Sequence, residues 1–208
     1  MNLPNATRIR LPSTAHTSRP WRIHELTRDF RLEDVWALPT PGGPDDFPRL
    51  VELIASGDAS RDTSTSARAL WVIRLKLGEL LGWDESPQSP AADPQRPAAD
   101  PQRPSLRDSL PADLRAGPSG PQHTKLPFSP LYLTADEWAT EIVNRTVHGI
   151  LHLGWVPDVP DRPDRYHGQL AVYTKPNGLL GSAYMTAITP FRHLIVYPPM
   201  IEAIGRAW

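Results

Sequence analysis

Two histidines, His148 and His152, stand four residues apart in a run that alternates in polarity from Glu141 to Trp155. Strand periodicity puts Thr146, His148, Ile150 and His152 on one face and Val147, Leu151, Leu153 and Trp155 on the other. At strand rise the two rings are about 13 Å apart, too far to bind one metal ion together. As separate groups lining a dry cavity, each is a usable acid, base or hydrogen-bond donor. The alternative is that this face is the solvated side of a sheet, or that each histidine is structural. Tyr173 and Tyr184 have hydroxyls to offer a ligand, and the competing role for both is core packing. His193 sits beside Arg192 at the edge of an expected buried helical stripe, where capping or packing is its other use.

Several chemistries are excluded. The chain has no cysteine, which removes disulfides, thiolate catalysis, iron–sulfur clusters and cysteine-ligated zinc. Glu33 and Asp34 are adjacent on an expected helix, so their side chains diverge by about 100° and form no acid–base dyad. Glu141, Asn144 and Arg145 lie near a strand junction, where a buried ion pair or turn support accounts for them. Gly178-Leu-Leu-Gly181 lacks the lysine and the flanking order of a phosphate loop. No G-x-S-x-G elbow is present, which argues against an α/β-type serine hydrolase.

The elements that must position these residues follow from periodicity. Residues 1–18 read as a flexible N-terminal tail. Trp21, Ile23 and Glu25 suit a short strand. Asp29–Leu38 reads as a helix carrying Leu32, Val35 and Trp36. A second helix starts at Asp45 or Asp46, carries Phe47, Leu50, Val51 and Ile54, and stops near Gly57. A third, largely buried helix covers Ala67–Leu81. Residues 84–104 hold the tandem copy Ala91-Ala-Asp-Pro-Gln-Arg-Pro97 and Ala98-Ala-Asp-Pro-Gln-Arg-Pro104. So polar and proline-rich a segment cannot bury enough surface to fold, and reads as a disordered insertion. Ser105–Arg115 is a short helix with Leu106, Leu110 and Leu114 on one side. Phe128–Leu133 is extended. Thr134–Glu137 has capping-box spacing, so a helical turn is expected there. Glu141–Trp155 is strand, with a break at Asn144-Arg145. A hairpin loop and the returning strand Tyr166–Lys175 follow. Residues 179–195 keep helical spacing as a long C-terminal helix that Pro190 kinks or splits. Met200–Trp208 forms a last short helix.

Lys and Arg number 22 against 23 Asp and Glu, so no basic field exists to hold a phosphate backbone, and nucleic acid is not an expected partner. Arg8, Arg10, Arg19 and Arg22 are spread among polar residues as on a solvated tail. No apolar stretch approaches the ~18 residues of a membrane span, and no apolar run follows the N-terminal charges. One domain in the cytoplasm is the expectation for 208 residues of this kind.

Five segments carry a resemblance: Asp34-Val-Trp-Ala-Leu-Pro39, Asn144-Arg-Thr-Val-His-Gly149, Leu151-His-Leu-Gly-Trp155, Lys175-Pro-Asn-Gly-Leu-Leu-Gly181 and Pro190-Phe-Arg-His-Leu-Ile195. They resemble the motifs of the bacterial family domain of unknown function 2867, from about Trp21 to Trp208 apart from the proline-rich insertion. That domain is also met as the tail of Rossmann-type proteins, but no G-x-G-x-x-G is present here. The wider similarity is to START-like proteins, including polyketide cyclases and lipid carriers. It implies an α+β helix-grip fold, a curved antiparallel sheet around a long C-terminal helix, with an apolar cavity between them. The function it implies is binding of an apolar small molecule, with cyclase-like or other proton-transfer catalysis by His148 or His152. Trp36, His148, Ile150, His152, Tyr173, Tyr184 and His193 are the candidate ligand contacts, with no metal and no cofactor expected. The alternative is a non-catalytic interaction module with a side-chain-filled core, its proline-rich loop and tryptophans meeting a protein. A hydride-transfer role ranks last, because it needs a Rossmann domain from another chain. Whether the histidines and tyrosines point inward or outward separates the first two.

Overall fold

The computed structural model describes residues 10–57, 105–124, 126–143, 147–158, 164–176 and 197–208. They form a six-stranded sheet in which every neighbouring pair is antiparallel. The strands are β1 (Arg10–Leu11), β2 (Arg31–Ala37), β3 (Ser129–Leu133), β4 (Glu137–Val143), β5 (Val147–Pro157) and β6 (Tyr166–Pro176). Their spatial order is β1-β2-β6-β5-β4-β3. The hairpin of β5 and β6 forms the centre, pairing residue for residue from Val147↔Pro176 to Pro157↔Tyr166. The fold is thus α+β, with a meander from β3 to β6 that brings β6 back beside β2.

Both faces of this sheet are buried. On the first, Trp36, Trp138, Leu153, Trp155, Leu170 and Val172 pack under two helices. One is α3 (Phe47–Ser56), which presents Phe47, Leu50, Val51 and Ala55; the other is the C-terminal helix α5 (Tyr197–Ala207), which presents Tyr197, Ile201 and Ile204. Gly57 ends α3 with a left-handed φ of 66° that an L-residue adopts only under strain. On the second face, Val35, Ala139, Ile150, Ala171 and Tyr173 pack under short pieces: α1 (Thr14–Thr17), α2 (Ile23–Leu26), a 3-10 turn (Leu106–Ser109) and α4 (Ala112–Ala116). Their apolar contributions include Ile23, Leu110 and Leu114. The helix expected over Ser105–Arg115 is therefore present but divided at Pro111, which has no N–H to continue the ladder.

Several expectations need correction. The expected tail is ordered from residue 10 onward. Arg10 and Leu11 pair with Trp36 and Val35, and His16 on α1 is fully buried. Trp21–Glu25 is not a strand, because Ile23 opens the one-turn helix α2. Asp29–Leu38 is not a helix. β2 pairs Leu32 with Tyr173 and Val35 with Ala171, two residues apart on β6 but three apart on β2. A bulge absorbs the extra residue, and so mimics helical spacing inside a strand. Thr134–Glu137 makes its capping-box contact, Glu137 N–H to Thr134 Oγ1 at 3.1 Å, yet the chain reverses there into β4. The C-terminal helix among the described residues is short, and Pro198 and Pro199 lie in its first turn instead of before it. The expected helices over 67–81 and 179–195, the insertion at 84–104 and the glycine pair at 178 and 181 lie outside the described residues. Among those residues no helix is long and apolar enough to cross a membrane.

Candidate functional site

The second face of the sheet carries polar side chains in a repeated pattern. On β4, Glu137 and Glu141 stand four residues apart; on β5, so do His148 and His152. The register sets Glu137 opposite Gly154 and His152 opposite Ala139, and Glu141 opposite Ile150 and His148 opposite Val143. Each glutamate therefore reaches a histidine diagonally across the ladder, where long side chains meet. Glu137 Oε2 lies 2.9 Å from His152 Nε2, and Glu141 Oε2 lies 2.8 Å from His148 Nε2.

The Glu137–His152 pair is the deeper one. The His152 ring is fully buried and the Glu137 side chain is only 4% exposed. Tyr132, at 3.0 Å, donates its hydroxyl to Glu137 Oε2, and the backbone N–H of Arg22, at 2.9 Å, donates to Oε1. Burial alone would raise this carboxyl, but the bonds from His152, Arg22 and Tyr132 outweigh it and hold Glu137 below the ordinary glutamate range. Burial likewise lowers His152 below the ordinary histidine range, in spite of the carboxylate beside it. The pair is an ionised glutamate and a neutral imidazole. An ionised carboxylate only accepts hydrogen bonds, so Nε2 carries the proton of His152 and Nδ1 has a bare lone pair. That Nδ1 is buried and has no hydrogen-bond partner among the described residues.

Three rings from the N-terminal segment seal this end. His16 meets His152 with ring centroids 5.0 Å apart, Trp21 meets His152 at 5.4 Å, and His24 meets His16 at 5.2 Å. Trp21 can lie flat here because Gly154 has no side chain; a Cβ there would stand 2.7 Å from its ring. His16 Nδ1 lies 2.8 Å from Gln169 Oε1, while the Gln169 amide donates to the Ala15 carbonyl at 3.4 Å. Burial and the nearby His152 lower His16 to about 3. It is thus neutral, donates through Nδ1–H, and keeps a bare Nε2 without a partner among the described residues. Tyr173 OH lies 3.2 Å from His24 Nδ1, and burial raises its phenol above the ordinary tyrosine value.

The Glu141–His148 pair is shallower. His148 packs edge-on to Phe30 at 4.9 Å, with its side chain 11% exposed. Ser105 donates its hydroxyl to Glu141, and Leu106 N–H donates to Oε2 at 3.1 Å. Burial opposes ionisation of Glu141, but the bonds from His148, Ser105 and Leu106 hold it below the ordinary value. Lys175 and Asp29 form an exposed ion pair nearby.

Of the expected site residues, His148, Ile150, His152 and Tyr173 share this buried face. Trp36 does not: it packs on the opposite face, 4.9 Å from the Tyr197 ring. Tyr184 and His193 lie outside the described residues. Glu137, Tyr132, His16, Trp21 and His24 were not singled out by the sequence. A pair of glutamates four apart beside a pair of histidines four apart was a readable signal, and the capping-box reading of Thr134–Glu137 hid it. Nothing local marks His16. Among the described residues no group of three or more His, Asp or Glu side chains is placed to hold a metal ion.

The sequence profile of one family, described as protein of unknown function (DUF2867), matches residues 26–199. Glu137, His148, His152 and Tyr173 fall within the match, whereas His16, Trp21 and His24 precede it. No curated protein and no solved structure matches the chain.

Proposed function

The chain belongs to the family of proteins of unknown function DUF2867, and from that premise we propose that it is a START-like, helix-grip protein that encloses an apolar small molecule against the histidine-bearing face of its sheet and moves a proton on it. The antiparallel meander closed by β2, with helices before and after it in the chain, supports the helix-grip reading. The observation that carries the function is the buried dyad, in which an ionised Glu137 holds a neutral His152 with its Nδ1 lone pair free among the described residues.

In this reading His152 Nδ1 accepts a proton from the bound molecule and returns it at another position or to solvent. Glu137 fixes the tautomer and steadies the imidazolium while it lasts, as a carboxylate does behind any histidine base. Tyr132 and the Arg22 N–H keep the carboxylate from turning away. The apolar walls, Ile150, Ala171 and Ala139 among them, keep the lone pair from being spent on bulk water. The inward burial of His148, His152 and Tyr173 favours this reading over an interaction module, which would present such groups to a partner.

Native mass spectrometry of the purified chain, compared with the denatured chain, tests the proposal. A retained small molecule is the expected result. A mass equal to the bare chain, with no rise in Tm across a panel of apolar compounds, overturns it.

A further inference from the structure

Four ring nitrogens at the sealed end of the site are buried without partners among the described residues: His16 Nε2, Trp21 Nε1, His24 Nε2 and His152 Nδ1. The rings that carry them touch one another. His16, Trp21 and His152 form a triangle of centroids with sides of 5.0, 5.4 and 6.2 Å, and His24 adjoins His16. A buried polar atom without a partner costs about 1–3 kcal/mol, so four in one cluster are not explained by folding alone. The hydrogen-bond roles of three of them are fixed. His152 has given its proton to Glu137 and His16 has given its own to Gln169, so both remaining nitrogens are acceptors. The indole N–H of Trp21 is only a donor. The cluster therefore asks for a group that donates twice and accepts once.

This narrows the ligand. A carboxylate or phosphate brings acceptors to two lone pairs and negative charge to Glu137. A ketone satisfies Trp21 and neither histidine. An ammonium suits the lone pairs but opposes the indole N–H with another donor. A hydroxyl satisfies one of each kind, donating through O–H to an imidazole nitrogen and accepting from the indole through oxygen. Two hydroxyls on one small ring or chain satisfy His16, His152 and Trp21 together. Entry is provided by the segment that supplies the cover. Residues 10–18 join the sheet through the two-residue strand β1 and through the bonds of His16 and Ala15 to Gln169, a small set of contacts for a segment with one of the most buried side chains in the protein.

We infer that the enclosed molecule is a dihydroxy compound, a phenol, enol or diol on an otherwise apolar frame, whose hydroxyls bind His152 and His16 and accept from Trp21. The inference rests on the enclosing reading above and adds the recognition chemistry. It also places the substrate's acidic O–H at the lone pair of His152, where a proton transfer would begin.

The test uses the full chain, uniformly 15N-labelled at histidine, with resorcinol, 1,3-dimethoxybenzene and meta-xylene as probes. They share one ring and substitution pattern and differ in hydroxyl donors. Resorcinol is expected to bind most tightly and to move the Nδ1 resonance of His152 and the Nε2 resonance of His16. 1,3-Dimethoxybenzene and meta-xylene are expected to bind roughly tenfold or more weakly, since each lacks the two donors. Trp21→Phe is expected to weaken resorcinol severalfold and to leave meta-xylene unchanged. Equal binding of all three probes, or binding of meta-xylene alone, overturns the hydroxyl inference and leaves the enclosing reading standing. Binding of none, together with an empty native mass spectrum, overturns both.

Discussion

The two ends of the polar face are built from the same parts and differ in what covers them. Each has a glutamate on β4 bonded diagonally to a histidine on β5, at 2.9 and 2.8 Å. The Glu137–His152 end is sealed by His16, Trp21 and His24 and carries unpartnered ring nitrogens. The Glu141–His148 end is closed by Phe30 and by Ser105 and Leu106, whose donors go to the carboxylate itself. The difference teaches that a Glu–His pair is made a base or a fastener by its cover. At one end the second imidazole nitrogen is kept dry and idle, which suits chemistry. At the other the glutamate anchors the chain that returns to the sheet at residue 105, which suits structure.

The largest test of that contrast is removal of each carboxylate. Glu137→Ala leaves the Tyr132 hydroxyl, the His152 N–H and the Arg22 N–H unsatisfied together, and is expected to cost about 3–5 kcal/mol in urea unfolding. Glu141→Ala is expected to cost about 1–3 kcal/mol, because its partners lie nearer to solvent. Equal losses would break the comparison.

The second test is pH. His16 is held at about 3 in the folded chain, while an unfolded histidine titrates near 6.5. Between those values the unfolded state takes a proton that the folded state refuses, so stability falls as pH drops from about 6.5 toward 3. His152 shifts in the same direction, and the depressed Glu137 adds a loss at the acid end. His16→Phe is expected to flatten the slope of unfolding free energy against pH over this range. A slope unchanged from the parent would show that the sealed end is wet. The third test is Gly154→Ala, whose methyl would stand 2.7 Å from Trp21 Cζ2. It is expected to cost about 1–3 kcal/mol and to raise hydrogen exchange in residues 10–26 without disturbing Ser105 or Leu106. The smallest is Lys175→Ala beside the shallow end. It breaks the ion pair with Asp29, whose side chain is 62% exposed, and is expected to cost under about 1 kcal/mol, less in high salt.

Much of the fold was legible in the sequence. The α3 helix and its glycine stop, the strands around His148 and His152, the break near residue 145 and the returning strand follow from periodicity and turn residues. The failures have physical causes. Leu32 and Val35 have helical spacing because a bulge adds a residue to a strand. Thr134–Glu137 forms the hydrogen bond of a helix cap inside a hairpin turn. The alternation of β5 suggested one dry face and one wet or cavity-lining face, but helices cover both.

The site divides in the same way. By itself the sequence determined that His148, Ile150 and His152 share a face with Tyr173 of the next strand, because side chains alternate along any strand whatever surrounds it. It also determined that no thiol takes part in any chemistry here, since there is no cysteine. Only the tertiary structure decided that Glu137 answers His152, that Trp36 belongs to the other face, and that an N-terminal histidine closes the site. Those contacts join residues 15 to 153 positions apart. They depend on register and on which segment covers which face, and no local pattern records either.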